Sequence, residues 1–113
     1  MGMARETLAN RRQTQTFRFD HEGHRYYGSV SRFRDGRPAE VFLDAGKPGA
    51  SIQAIARDGA VFVSLALQHG CPLEVLRKAI TRLDDGTAAG PFGRLLDMVE
   101  ALPAIDHNAR LIK

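Results

Sequence analysis

The chain has 113 residues, 43% of them hydrophobic and 26% charged, with a formal net charge of +3. That is one domain's length, and the balance excludes a mostly disordered chain. No apolar run approaches the ~18 residues that span a bilayer. The leading segment MGMARETLANRRQ lacks the apolar core of a secretory signal, and Glu6 stands where a myristoylation site at Gly2 needs Ser or Thr. A single cysteine, Cys71, excludes an internal disulfide framework and any zinc site with two thiolates. A cytoplasmic, non-membrane protein without metal or cofactor is expected.

Residues 1–14 are polar and lack a sustained apolar period, which predicts a flexible basic arm. From Thr16 the pattern alternates, then Asp20-His21-Glu22-Gly23 supplies turn chemistry before a second run from His24 to Phe33. In that run Tyr26, Gly28, Val30 and Arg32 share one face, and Tyr27, Ser29, Ser31 and Phe33 the other. Arg34-Asp35-Gly36-Arg37 is a second turn, carried by its Asp-Gly pair. Ala39 to Leu43 then forms a third strand, with Pro38 tolerated at its start.

A Gly- and Pro-containing loop, Asp44 to Gly49, leads to Ser51, the expected N-cap of a helix of about 18 residues. Ile52, Ile55, Gly59, Phe62, Ala66 and His69 recur at helical spacing, and Ala60 to Leu67 is apolar on nearly every side. A helix apolar all round is a central one, covered by the sheet and by other helices or a second subunit. Gly70 ends it and Pro72 opens a shorter helix whose apolar face is Leu73, Leu76, Ala79 or Ile80, and Leu83. Phe92, Leu95, Leu96, Val99 and Leu102 give a third helix, stopped by Pro103. The order predicts an α+β domain over 15–103: a three-stranded antiparallel meander, a long central helix and two shorter ones, with 104–113 as a tail.

Charge is uneven. Residues 1–37 carry eight arginines (Arg5, Arg11, Arg12, Arg18, Arg25, Arg32, Arg34 and Arg37) against four acids. Arginine suits bidentate phosphate or carboxylate contacts, so these eight are a candidate basic surface for nucleic acid. Lys47, Gly49, Ala50 and Ser51 are a candidate anion site, because a glycine loop entering a helix presents free amides. The Walker order is absent there.

Other candidates read as structural. His21 and His24 flank the turn as His-Glu-Gly-His, one residue short of the helical zinc spacing. Residues three apart around a hairpin are expected to point away from each other, so no metal site is expected. His69 suits the carbonyl end of a helix. Cys71 lacks the spacing for a Cys–His pair and reads as a small packed side chain. No carboxylate pair and no Ser–His–Asp grouping stands out, so no catalytic residue is expected.

The stretch from Arg11 to Arg82 resembles the TSCPD domain family. The matching residues are Tyr27-Gly28-Ser29-Val30, then Asp35 to Asp44, then Gly46 to Ser51, and most specifically Val63 to Glu74, which reads VSLALQHGCPLE. Within these, Gly36, Glu40, Gln68, Gly70 and Pro72 read as structural, with Glu40 expected to pair with Arg37 or an N-terminal arginine. The family forms the C-terminal region of cobalamin-dependent ribonucleotide reductases and also occurs as small stand-alone proteins. The tetrapeptide that names the family is absent here, and nothing like the reductases' cysteine-pair tail follows. The resemblance implies a non-catalytic accessory domain acting in trans on a protein partner, a reductase subunit or another protein of nucleotide metabolism. The chain on its own is expected to be no enzyme, because the radical cysteines and the cobalamin site are absent. The apolar central helix and small size suggest a homodimer. A small basic nucleic-acid-binding or regulatory protein is the second reading, and a nucleotide- or phosphate-binding module at Lys47–Ser51 is the third.

Overall fold

The computed structural model describes residues 4–8, 13–46 and 51–103. In chain order it holds β1 (Thr14–His21), β2 (His24–Arg32), β3 (Pro38–Asp44), α1 (Ser51–Gln68), α2 (Leu73–Ala79) and α3 (Pro91–Ala101). The strands form one antiparallel sheet in the order β1-β2-β3, so the fold is the expected α+β arrangement.

Local chemistry sets the meander. His21 pairs with His24, which leaves Glu22 and Gly23 as a two-residue turn. Their φ angles of 50° and 82° are both positive, as a tight hairpin whose twist matches its strands requires. The second turn closes with the Gly36 amide on the Phe33 carbonyl and the Phe33 amide on the Arg37 carbonyl, both at 2.9 Å. Pairing between β2 and β3 slips by a bulge at Ser31 and Arg32.

The register puts Phe17 and Phe19 of β1, Tyr26, Gly28 and Val30 of β2, and Val41 and Leu43 of β3 on one face. That face is the core. Leu95, Leu96 and Val99 of α3 close it and are themselves fully buried. A Cβ on Gly28 would lie 2.8 Å from the Phe17 ring and 2.9 Å from Leu95, so only glycine lets those two meet over β2. The opposite face carries Arg18, Tyr27, Ser29 and Phe42, and both its aromatic rings are exposed.

α1 has the expected span, but its buried side differs from the periodic apolar line. The residues turned inward are Ala56, Ala60, Ser64, Leu67 and Gln68. Ile55 and Phe62, taken with that line, face solvent at 66% and 70% exposure. The reason lies in what α1 covers. It packs along the free edge of β3, where a close approach needs small residues and where the strand's backbone groups need partners. Ala56, Ala60 and Ser64 are the small residues, and Ser64 and Gln68 supply the hydrogen bonds.

α1 stops in a Schellman motif. Gly70 has φ 95°, and its amide bonds the Leu67 carbonyl while the Cys71 amide reaches back to the Ala66 carbonyl. α2 follows from Pro72 and ends at Ala79, because Ile80 is extended. Leu83, expected on the apolar face of α2, lies instead in the loop beyond it and is exposed. Among the described residues no helix is long and apolar enough to cross a membrane.

Candidate functional site

The most specific stretch of the sequence, Val63 to Glu74, builds a clasp between α1 and β3. The Val41 amide donates to Ser64 Oγ at 2.9 Å, and the Ser64 hydroxyl donates to the Val41 carbonyl at 3.0 Å. One turn later Gln68 Nε2 donates to the Ala39 carbonyl at 2.9 Å. Gln68 is 2% exposed, and its Oε1 accepts from Arg5 Nε at 2.5 Å. The Glu6 amide donates to the Gln68 carbonyl at 2.6 Å. His69 Nδ1 lies 2.9 Å from the Leu65 carbonyl, the helix-end role expected of it. Gly70 and Pro72 then turn the chain. The buried polar groups of this motif, Ser64 and Gln68, are thus spent on holding the fold.

Among the described residues the arginines of the expected basic surface are not gathered into one patch. Arg5 sits at the end of α1, on Gln68. Arg18 and Arg25 lie on the open face of the sheet, and Arg25 is hydrogen-bonded to Asp20. Arg32 points to the other face. Its guanidinium bonds Gln15 Oε1 at 3.0 Å, the Gly36 carbonyl at 2.9 Å, and the Val99 and Leu102 carbonyls at 3.3 Å each, where α3 ends. Burial pulls its pKa below the ordinary arginine value. Arg34 is exposed in the second turn. Arg37 is clamped by Glu6 at 2.9 Å and Asp35 at 2.7 Å and lies over the Phe33 ring. Its hydrogen bonds to Glu6 and Asp35 raise its pKa. Arg11 and Arg12 lie outside the described residues. Glu40 stands opposite Ser31 in the β2–β3 pairing.

Of the expected anion loop, Lys47, Gly49 and Ala50 also lie outside the described residues. Ser51 is exposed and is the first residue of α1 rather than its cap. Asp44 ties the two sides of that loop. It accepts from the Gly46 amide at 2.9 Å, from Gln53 Nε2 at 3.0 Å and from Arg57 at 3.3 Å. The Gln53 and Gly46 bonds, with the Arg57 charge, hold its carboxyl below the usual range.

The two hairpin histidines contradict the expectation that they point apart. A two-residue turn makes residues i and i+3 direct cross-strand partners, so His21 and His24 share the helix-facing side. Both line a cleft of about 400 Å³ between the hairpin tip and the leading turns of α1 and α3. Its apolar wall is Ile52 and Ile55 of α1 with Pro91 and Phe92 of α3; Glu22 and Tyr26 complete the hairpin side. His21 Nε2 lies 3.2 Å from the Ala89 carbonyl and 4.0 Å from Glu22. Among the described residues no three His, Cys, Asp or Glu side chains are grouped to hold a metal. Cys71 is half-buried at the joint of α1 and α2, its Sγ 3.8 Å from the Pro72 carbonyl.

The TSCPD domain family matches residues 4–104. The chain belongs to that family. This TSCPD domain is 43% identical over 77 residues to a vitamin B12-dependent ribonucleotide reductase of Agrobacterium fabrum, a match covering 68% of the chain and 6% of the reductase. A reductase of the same name from Rhodopirellula baltica is 40% identical over 108 residues, covering 94% of the chain and 10% of that protein. A third, from Bradyrhizobium diazoefficiens, is 36% identical over 77 residues. The TSCPD domain therefore spans a tenth or less of these curated relatives. No solved structure matches it significantly.

With the TSCPD assignment in place, its motif reads as a fold signature. Sequence reasoning missed the clasp because Ser64 sits in an apolar run and looks incidental. The signal was the Ser64, Gln68 spacing of four on the side of α1 that also carries Ala56 and Ala60.

Proposed function

We propose that this TSCPD domain is a non-catalytic interaction module that acts in trans on a protein partner of nucleotide metabolism, a reductase of the kind its relatives are. The observation that carries the reading is the solvent face of α1. Ile55, Val61 and Phe62 are 66%, 54% and 70% exposed on a helix whose opposite face is already packed on β3. A surface helix ordinarily shows polar residues there. Burying each of these side chains on a partner gains roughly 1.5–3 kcal/mol, and large apolar side chains left in water along one helix favour an interaction surface. The relatives carry the same domain within a reductase chain, which makes a reductase the first partner to test.

The test is affinity capture of the tagged chain from the cells that encode it, with Phe62→Ser/Val61→Ser in parallel and mass spectrometry to identify what is retained. The expected result is a ribonucleotide reductase chain held by the wild type and lost with the variant. Equal capture by both, or no protein of nucleotide metabolism on the wild type, overturns the reading. A second copy of the chain is the competing occupant, which sedimentation of the purified protein separates: a wild-type dimer that the variant dissolves assigns the face to self-association instead.

A further inference from the structure

We infer that the cleft between the β1–β2 hairpin tip and the leading turns of α1 and α3 is a small-molecule site for a planar apolar ring carrying one anionic group. Its size, about 400 Å³, falls in the range of ligand pockets. Ile52, Ile55 and Phe92 give it an apolar wall.

The hairpin side of the cleft is polar, lined by His21, Glu22, His24 and Tyr26, and these groups are largely unused. Tyr26 is 2% exposed, stacked on Phe19 at 5.4 Å between ring centroids. No hydrogen bond holds its hydroxyl among the described residues, and no side-chain polar atom is both sealed from solvent and unpartnered. The hydroxyl of a nearly buried residue is thus a donor left open toward the cleft it lines. Burial and the charge of Glu22 raise the pKa of that phenol, so it stays protonated. His24 stands beside it with no partner among the described residues, and His21 beside His24.

α3 adds a third kind of donor. Gly90 caps it with no side-chain hydrogen bond, Pro91 follows, and the first internal bond is the Arg94 amide to the Gly90 carbonyl at 3.2 Å. The Phe92 and Gly93 amides precede that bond and have no partner among the described residues, and the positive end of the helix lies at the cleft. The tyrosine hydroxyl and the helix amides are donors, His24 offers one imidazole N–H, and among the described residues Glu22 is the only acid on the lining, exposed on the turn. A set of donors facing an apolar wall fits an anionic acceptor joined to a ring. Aromatic carboxylates and nucleoside phosphates both have that chemistry.

The experiment is an amide-resolved NMR titration of the full chain with four probes: adenosine monophosphate, benzoate, adenosine and inorganic phosphate. The expected result is a Kd below about 1 mM for at least one of the first two, with shifts centred on His21, His24, Phe92 and Gly93. Adenosine and phosphate alone should bind at least roughly tenfold more weakly, since each offers half of the recognised chemistry. Whichever of the monophosphate and benzoate binds tighter identifies the source of the anion. Tyr26→Phe, which keeps the ring stacked on Phe19, and His24→Gln should each weaken binding by about fivefold or more. No binding by either aromatic anion, shifts centred elsewhere, phosphate binding as tightly as the monophosphate, or indifference to both substitutions overturns the inference.

Discussion

Ser64→Ala removes one oxygen and leaves α1 otherwise intact. That oxygen satisfies both the amide and the carbonyl of Val41, at 2.9 and 3.0 Å, and Ser64 is 8% exposed while Val41 is 4% exposed. Neither backbone group has another partner on that side of β3, the sheet's edge strand. Leaving a buried backbone group unsatisfied costs about 1–3 kcal/mol. Two such groups, less about 0.5 kcal/mol for the better helix propensity of alanine, give a net loss of about 1.5–5.5 kcal/mol. A domain of this size has only about 5–15 kcal/mol to lose. Urea unfolding followed by circular dichroism should show a lowered midpoint at unchanged slope. At roughly 4–8 °C per kcal/mol, the melting temperature should fall by about 6 °C or more. Ser29→Ala on the open face is the control and should stay within about 0.5 kcal/mol. A Ser64→Ala variant as stable as that control would refute the clasp.

Three further outcomes follow from the same geometry. Gly70→Ala should cost about 1 kcal/mol in thermal unfolding, because the Schellman turn holds that residue at φ 95°. Arg32→Lys should destabilise by about 1–3 kcal/mol in urea, because an ammonium cannot reach Gln15, Gly36 and the end of α3 together as the guanidinium does. Asp97 is hydrogen-bonded by Arg82 at 2.8 Å and Arg77 at 3.0 Å, and these bonds hold its carboxyl below the usual range. On acidification the unfolded chain takes up that proton first, so the contribution is full above about pH 5 and fades as pH falls through about 4 and below. Wild type and Asp97→Asn should therefore differ in urea midpoint at pH 7 and converge near pH 3; a gap that persists in acid would show that the carboxylate charge is not what holds the two arginines.

The hairpin and the helix spans were legible because their signals are local. Asp20 to Gly23 carries its own turn geometry, and Gly70-Cys71-Pro72 its own stop. What was hidden depends on tertiary partners. A serine in an apolar run gives no sign of which backbone it will bond, so the inner face of α1 was not read as Ala56, Ala60, Ser64 and Gln68. Arg32 looked like one cation of a basic surface, and only the end of α3 shows where its guanidinium goes. His21 and His24 share a face because the turn holds only Glu22 and Gly23, which makes them the closing pair of the hairpin. The open donors of Tyr26 and α3 come from segments more than sixty residues apart, and no spacing rule joins them.

The clasp also sets where this fold can begin to open. An edge strand ordinarily exchanges its outward amides early, since water is their only competitor. Here the Val41 amide is closed by a hydroxyl from the longest helix, and the neighbouring Ala39 carbonyl by Gln68. Fraying of β3 must wait for α1 to lift, and α1 is tied at its far end to Arg5 and Glu6. The edge of the sheet, the first tail residues and the helix thus open as one cooperative unit, and the slowest amides of the domain include one at its rim.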